Sequence, residues 1–275
     1  MKLVAHMSDP HFGTQDKRIC QALVQELGEL EPACVVVSGD LTQRGRRRQF
    51  RQAHRWLESL GLPYLTVPGN HDIPLYDLFT RFLRPRKRYL TYITDDLTPC
   101  FVDDSLVIAG VDTTKSFTTK HGAITREKIE AVLAEVARFK DRWRVLVAHH
   151  PFIVPPESHE PAVEGADEVL PLLEAADVDL ILTGHLHIPH CAGRNEQHSI
   201  VHVQAGTCIS TRTRGEPNGY NQLRFEGDEV TIIHRQWDGI RFVDGEMKRY
   251  GRGGGADRMI KIAEVAPAPD VHAPR

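Results

Sequence analysis

A chain of 275 residues, 41% hydrophobic and 26% charged, has room for one large domain or two small ones and matches ordinary globular composition, which excludes a disulfide-stapled miniprotein and extended disorder. A net charge of -3 supplies no global attraction to nucleic acid or acidic membranes, so no stable nucleic-acid complex is expected. No apolar run approaches the ~20 residues that span a bilayer, so no membrane span is expected either.

The first apolar stretch, Leu3-Val4-Ala5, meets His6 and Asp9 before a signal-peptide core of ~7–15 apolar residues could form, which makes the cytoplasm the expected address. From there to about residue 200, apolar runs alternate with amphipathic segments, the pattern of helices covering a mostly parallel sheet. Strands are predicted at Leu3 to Met7, Cys34 to Val37, Tyr64 to Val67, Leu106 to Val111, Val145 to Ala148 and Leu180 to Leu182. Helices are predicted from the spacing of Ile19, Ala22, Leu23, Leu27 and Leu30, from that of Phe50, Ala53, Leu57 and Leu60, and after an N-cap at Thr125. From about His198 the runs shorten, and Leu223 to Phe225, Gly227-Asp228 and Val230 to Ile233 read as a hairpin in an antiparallel continuation of the sheet. Residues 1–250 form one domain in this reading, with 74–99 as a small cap or dimer segment bearing Tyr76, Phe79, Phe82 and Tyr89. Gly251 to Gly255 and Pro267, Pro269 and Pro274 make 251–275 a flexible Gly/Pro-rich tail.

Five cysteines without a CxxC pair argue against disulfides and thiolate zinc, whereas fifteen histidines are the anomaly of the composition. Six fall in strand-ending loops: Asp9-Pro10-His11, Gly39-Asp40, Gly69-Asn70-His71-Asp72, His149-His150-Pro151 and Gly184-His185-Leu186-His187. Loops that follow parallel strands converge on one edge of the sheet, gathering distant donors into one site. In extended backbone, residues two apart point the same way, so Asp9 with His11 and His185 with His187 can each present paired ligands, while of His149 and His150 only one enters easily. The glycines before Asp40, Asn70 and His185 permit tight turns. A carboxylate such as Asp40 can bridge two cations, and a metal pair can hold a phosphoryl group and activate water. Nitrogen and oxygen donors without thiolate suit two divalent ions among Mn, Fe, Zn and Co.

At these residues the sequence resembles the calcineurin-like metallophosphoesterase superfamily, whose blocks D-x-H, G-D, G-N-H-[DE], H and G-H-x-H are all present in order. Gly-Asn-His-Asp alone should occur by chance in on the order of one such chain in a thousand. The resemblance spans roughly residues 3 to 236 and implies an α/β fold, a four-layer α-β-β-α sandwich of two mixed sheets with flanking helices. It implies that Asp9, His11, Asp40 and His187 ligate one metal and Asp40, Asn70, His149 and His185 the other, with manganese or iron favoured. It also implies that a metal-bridging hydroxide attacks phosphorus while His71 contacts the phosphate or protonates the leaving oxygen, with Asp72 orienting His71.

Within the superfamily, the His-His-Pro and Gly-His-Leu-His blocks and the Lys120-His121-Gly122 turn are similar to bacterial class III cyclic-nucleotide phosphodiesterases and their glycerophosphodiesterase relatives. Small phosphodiesters, 3′,5′-cyclic nucleotides first, are then the expected substrates. A glycerophosphodiesterase, a phosphomonoesterase acting on small molecules or phosphoproteins, a nuclease and a metal-free scaffold are the alternatives. Asn70, His71 and Arg212 or Arg214 are expected to touch the ester, surface arginines being the other reading of the last two. The clusters Arg44, Arg46, Arg47, Arg48, Arg51 and Arg81, Arg84, Arg86, Lys87, Arg88 read as solvated helix faces.

Overall fold

The computed structural model describes residues 1–155, 158–193, 200–253 and 259–266. β1 (Lys2–Met7), α1 (Lys17–Leu30), β2 (Cys34–Val37), α2 (Arg47–Ser59) and β3 (Tyr64–Thr66) build a run of parallel strands joined by helices, in the predicted places. Two short helices, α3 (Leu78–Leu83) and α4 (Lys87–Tyr92), precede β4 (Cys100–Val102) and β5 (Leu106–Gly110). Then come α5 (Arg126–Val136), β6 (Trp143–Val147), α6 (Ala166–Ala175), β7 (Leu180–Thr183), β8 (His190–Gly193) and β9 (Val201–Gln204). β10 (Gly219–Glu226), β11 (Glu229–Trp237), β12 (Phe242–Arg252) and β13 (Met259–Val265) finish the chain. Asp16 and Thr125 cap α1 and α5 with side-chain oxygens, as their residue types favour.

One sheet runs β13-β12-β11-β10-β1-β2-β3 and the other β4-β5-β6-β7-β9-β8. The pleat explains how a sheet serves two cores: Val4 and Val36 enter the interior between the sheets with Ile108, Val145 and Leu182, while Ala5, Val35 and Val37 face Leu23, Leu27, Phe50 and Leu57 of α1 and α2. Val107, Leu146 and Ile181 bury the opposite face of the second sheet under Ile129, Val169 and Leu173 of α5 and α6. The result is the expected four-layer α-β-β-α sandwich, each fully buried Val, Leu or Ile contributing about 1.5–3 kcal/mol.

Several expectations are corrected. The segment after 198 does not at once continue the first sheet. β9 lies parallel to β7 in the second, and the antiparallel continuation begins at β10, which pairs with β1. The region 251–275 is no simple tail: Gly251 and Arg252 extend β12, and β13 pairs with it, using backbone hydrogen bonds where few side chains are buried. Residues 254–258 and 267–275 lie outside the described residues. The second arginine cluster is not a solvated face, because three of its members staple the 74–99 segment to the body. Arg81 donates to the Pro74 and Thr118 carbonyls, Arg86 to Asp112 and the Thr114 carbonyl, and Arg88 to the Gly45 carbonyl and Asp77. That segment exposes Tyr76, Leu78, Phe79, Phe82 and Leu83, with Phe117 beside Phe82. Among the described residues no helix is long and apolar enough to cross a membrane.

Candidate metal centre

The loops after β1, β2, β3, β6 and β7 meet on one rim, and hydrogen bonds between them set each donor. The first two loops are laced together by His11 N to the Asp40 carbonyl at 3.0 Å and Phe12 N to the Leu41 carbonyl at 2.8 Å. This lacing corrects the extended-backbone reading. Asp9, His11, Asp40, His185 and His187 all have positive φ, from 43° to 74°, so the paired donors are aimed by left-handed backbone rather than by the pleat. Gly39, at φ +94°, supplies the turn into Asp40 as expected. Gly69 has φ −106° and serves otherwise: any Cβ there would overlap Asp40 N and Oδ1.

Each carboxylate has one oxygen tied to backbone and one aimed inward. His185 N donates to Asp9 Oδ2 at 3.0 Å, and His71 N donates to Asp40 Oδ1 at 2.8 Å. Asp9 Oδ1 is left buried without a hydrogen-bond donor, 3.0 Å from His187 Nε2. Asp40 Oδ2 stands between two histidine sets, 3.7 Å from His11 Nε2 and 3.5 Å from His149 Nε2. The imidazoles are aimed the same way: His187 Nδ1 donates to the Arg212 carbonyl at 2.7 Å and His149 Nδ1 to the Ser38 carbonyl at 2.8 Å, so each neutral ring turns a bare Nε2 inward. Asn70 donates its amide to the Thr119 carbonyl, which turns Oδ1 toward His149 Nε2 at 3.1 Å and His185 Nδ1 at 3.2 Å.

Donor atoms of Asp9, His11, Asp40 and His187 lie within 4.8 Å of one another, and so do ring nitrogens of His149, His150 and His185. His150 is nevertheless occupied, with Nδ1 against Thr113 Oγ1 at 2.7 Å and Nε2 against the Lys120 carbonyl at 3.1 Å. The acceptors that converge with His149 and His185 are Asn70 Oδ1 and Asp40 Oδ2. Acceptors facing acceptors in a buried space require cations between them. Electrostatics agrees. Burial would raise Asp9 and Asp40, yet His187 for the former and His149 for the latter outweigh it and hold both carboxyls well below the usual range. Burial likewise opposes charge on His149 and His187, but Asp40 carries the first up to about 9 and Asp9 raises the second. Those protons sit where divalent ions would. The donor set therefore fits two cations, one per cluster, with Asp40 between them.

His71 lies beside the clusters with Nδ1 donating to the Gln43 carbonyl at 2.8 Å, leaving Nε2 open to a cavity of about 330 Å³. Burial lowers its pKa, only partly opposed by Asp40. Asp72 does not orient it, contrary to expectation. Its carboxylate accepts from Leu41 N, Thr42 N, Thr42 Oγ1 and Gly69 N, tying the β2 and β3 loops together, and burial with the nearby Asp40 pushes it up to about 7. Both Arg212 and Arg214 line the cavity, Arg212 with Nη1 3.5 Å from His71 Nε2, while Arg214 lies 3.9 Å from Glu160.

Sequence reasoning missed Gln43, Arg44, Arg81 and Thr119, which line the same cavity, as does Lys120 of the Lys120-His121-Gly122 turn. Gln43 and Arg44 directly follow the Gly39-Asp40 block, and that adjacency was the available signal. The arginine-rich run hid it, because Arg44 precedes α2 and turns inward instead of sharing its solvated face.

A calcineurin-like phosphoesterase family model matches residues 2–189, and the chain belongs to that family. It is 30% identical over 169 residues to the glycerophosphodiester phosphodiesterase GpdQ of Enterobacter lignolyticus (strain SCF1), with 54% of this chain and 56% of that protein aligned, so it spans about half of that relative's length. It is 24% identical over 188 residues to a probable cyclic nucleotide phosphodiesterase of Xenorhabdus bovienii (strain SS-2004), covering 66% of this chain and 72% of that one. A dimetal phosphatase from Danio rerio superposes with a TM-score of 0.64 at 13% identity, over 88% of this chain and 98% of the other, which establishes the shared fold.

Proposed function

We propose that the chain is a phosphodiesterase that hydrolyses small phosphodiesters at two divalent cations. Asp9, His11, Asp40 and His187 would hold one ion, and Asp40, Asn70, His149 and His185 the other. The observation that carries this reading is the position of Asp40 Oδ2, 3.7 Å and 3.5 Å from a histidine of each set while Oδ1 is fixed by His71 N. Such a pair, when bound, neutralises phosphoryl oxygens and lowers the pKa of water, and mixed nitrogen and oxygen donors suit manganese or iron. His71 borders this space with Nε2 toward the cavity, 3.5 Å from Arg212 Nη1. Its protonated form can hydrogen-bond a phosphoryl or leaving oxygen, and the Gln43 carbonyl holds the ring in that pose. Asn70 would be a ligand of the second ion, and Arg212 and Arg214 bring positive charge to the cavity wall.

The names of the relatives, glycerophosphodiester phosphodiesterase and cyclic nucleotide phosphodiesterase, favour a diester over a monoester. In this reading the enzyme acts on 3′,5′-cyclic nucleotides, glycerophosphodiesters or similar small diesters, works in the cytoplasm, and needs no nucleic-acid partner. The test is the manganese-supported rate on bis(p-nitrophenyl) phosphate against p-nitrophenyl phosphate, with Asp40→Ala as control. Preference for the diester, abolished in the variant, is expected. Preference for the monoester would replace the diesterase by a phosphomonoesterase, and full activity in Asp40→Ala would refute the bimetal site.

A further inference from the structure

On the inward face of the first sheet, four neighbouring strands change from apolar to polar at one level. Val4, Val36, Leu223 and Ile232 belong to the core between the sheets, and two residues nearer the rim stand His6, Ser38, Asn221 and His234. Pairing sets Asn221 opposite His6 on one side and His234 on the other, while Ser38, just past β2, bonds through its N–H to the Met7 carbonyl at 3.0 Å. All four are buried, which is unfavourable for polar groups unless they are hydrogen-bonded.

Their bonds form one directed chain. Burial holds the His6 and His234 rings neutral, with pKa values lowered to about 3 and 4, so each has one N–H and one lone pair. Asn221 Nδ2 donates to the Gln204 carbonyl at 3.1 Å, which fixes the amide, and to His6 Nδ1 at 3.4 Å. Asn221 Oδ1 then accepts from His234 Nδ1 at 3.1 Å, and the proton of His6, on Nε2, goes to Ser38 Oγ at 2.9 Å. Ser38 Oγ in turn donates to the Met7 carbonyl at 3.4 Å. His234 Nε2 is the acceptor end of the chain, without a donor among the described residues, at the edge of a separate cavity of about 250 Å³.

The other end of the chain reaches the metal centre. Ser38 stands where β2 turns into the Asp40 loop, and its carbonyl accepts from His149 Nδ1 at 2.8 Å and from Ser8 Oγ at 3.1 Å. His149 lies so close to the next residue that a Cβ on Gly39 would overlap its ring. Any shift of Ser38 therefore moves both the acceptor that aims His149 Nε2 and the backbone that enters Asp40. On the two-cation reading above, on which this rests, we propose that His6, Asn221 and His234 are positioning residues for the second ion. They hold Ser38 so that its carbonyl aims His149 beside Asp40, and they lie behind the ligands without touching ion or substrate. Partners that orient a ligating imidazole govern metal affinity by about 10- to 100-fold.

The test titrates metal-free protein with manganese by isothermal titration calorimetry, comparing wild type with His6→Phe, His6→Gln, His234→Phe, His149→Ala and the double variant His6→Phe/His149→Ala. His6→Phe strands no buried group, because Asn221 Nδ2 keeps the Gln204 carbonyl and Ser38 Oγ keeps the Met7 carbonyl. Thermal unfolding in chelator verifies that each variant is folded. Wild type is expected to bind two ions and His149→Ala one. His6→Phe should weaken the ion that His149→Ala loses by about 10- to 100-fold and the other by less than about twofold. His6→Gln, whose amide nitrogen takes the place of Nε2, should recover part of that loss, and His234→Phe should weaken the same ion by about 2- to 30-fold. The ion that His149→Ala retains should bind within about twofold as tightly when His6→Phe is added. Equal weakening of both ions, or a lowered Tm with both affinities unchanged, would overturn the inference and leave a row that serves the fold alone. If His6→Phe does not fold, His234→Phe carries the same two outcomes. Wild type that binds no manganese would sink the two-cation reading, and the inference with it.

Discussion

Replacing Asp40 by alanine should uncouple the protein from both metals at once, and the effect can be sized without an activity assay. A ligand that binds only the folded state stabilises it by about 2.7 kcal/mol at one hundred times its Kd, so two occupied sites add about 5 kcal/mol. For a domain of this size each kcal/mol moves Tm by about 2–4 °C, which gives a rise of about 10–20 °C on adding manganese to metal-free wild type. Asp40 Oδ2 faces His11 on one side and His149 on the other, so Asp40→Ala removes an oxygen from both sets and leaves His71 N without its acceptor. The variant should keep under about a quarter of the wild-type rise. Differential scanning calorimetry, in chelator and then in excess manganese, reads this directly. A wild-type shift below about 2 °C, or an Asp40→Ala shift as large as the wild type's, would refute the reasoning from Asp40 as the shared donor.

Gly69→Ala should cost as much as losing a ligand, because its Cβ has no space beside Asp40. At least a hundredfold loss of diesterase activity is expected with the fold retained by circular dichroism, and near-normal activity would show that the β2 and β3 loops can part. His6, His202 and His234 are held down by burial to about 3, 3 and 4, so below pH 6.5 the unfolded chain binds more protons than the folded one. Their contribution is complete above about pH 6.5 and is lost as pH falls toward 4. At pH 5 each accounts for about 2 kcal/mol, which urea midpoints at pH 7.5 and 5.0 would measure and His202→Gln should reduce by one such increment. If the exposed face of Tyr76, Phe79, Phe82 and Phe117 joins two copies, Phe79→Asp with Phe82→Asp should convert a dimer to a monomer in light scattering. A monomeric wild type would refute a dimer contact there.

The sheets were legible because buried parallel strands are written as short apolar runs, and β1, β2, β5 and β7 are such runs. The donors were legible because Asp9, His11, Asp40, Asn70, His149, His185 and His187 each lie just beyond one of the short apolar runs that form β1, β2, β3, β6 and β7. What escaped was set by contacts far apart in sequence. Asp72 stands next to His71, yet its partners are amides of Leu41 and Thr42 about thirty residues earlier, and adjacency suggested the wrong one. β13 has only Met259 fully buried, so its hydrophobic signal is weak and its place comes from pairing with β12. Arg44 belongs by composition to a basic helix face and by backbone to the loop before it.

The left-handed backbone of the donor loops ties fold to function. Non-glycine residues adopt such angles at a cost of order 1–3 kcal/mol each, and five of the seven proposed ligands do so. None of the five is needed to make a strand or helix, and bonds to neighbouring loops fix them: Asp9 N to the Gly39 carbonyl, His11 N to the Asp40 carbonyl, His185 N to Asp9 and the His187 ring to the Arg212 carbonyl. The sandwich, with three apolar layers of contact, supplies the stability against which that strain is held. What the strain achieves is convergence: donor atoms of Asp9, Asp40, His149 and His187 are held facing one another before any cation arrives, with protons on the two histidines in its place. A site built this way gives up stability in the metal-free protein and regains it on binding. On this argument the donors are aimed by the folded rim itself, and the manganese-dependent rise in Tm and the loss of turnover in Asp40→Ala are two readouts of one preorganised arrangement.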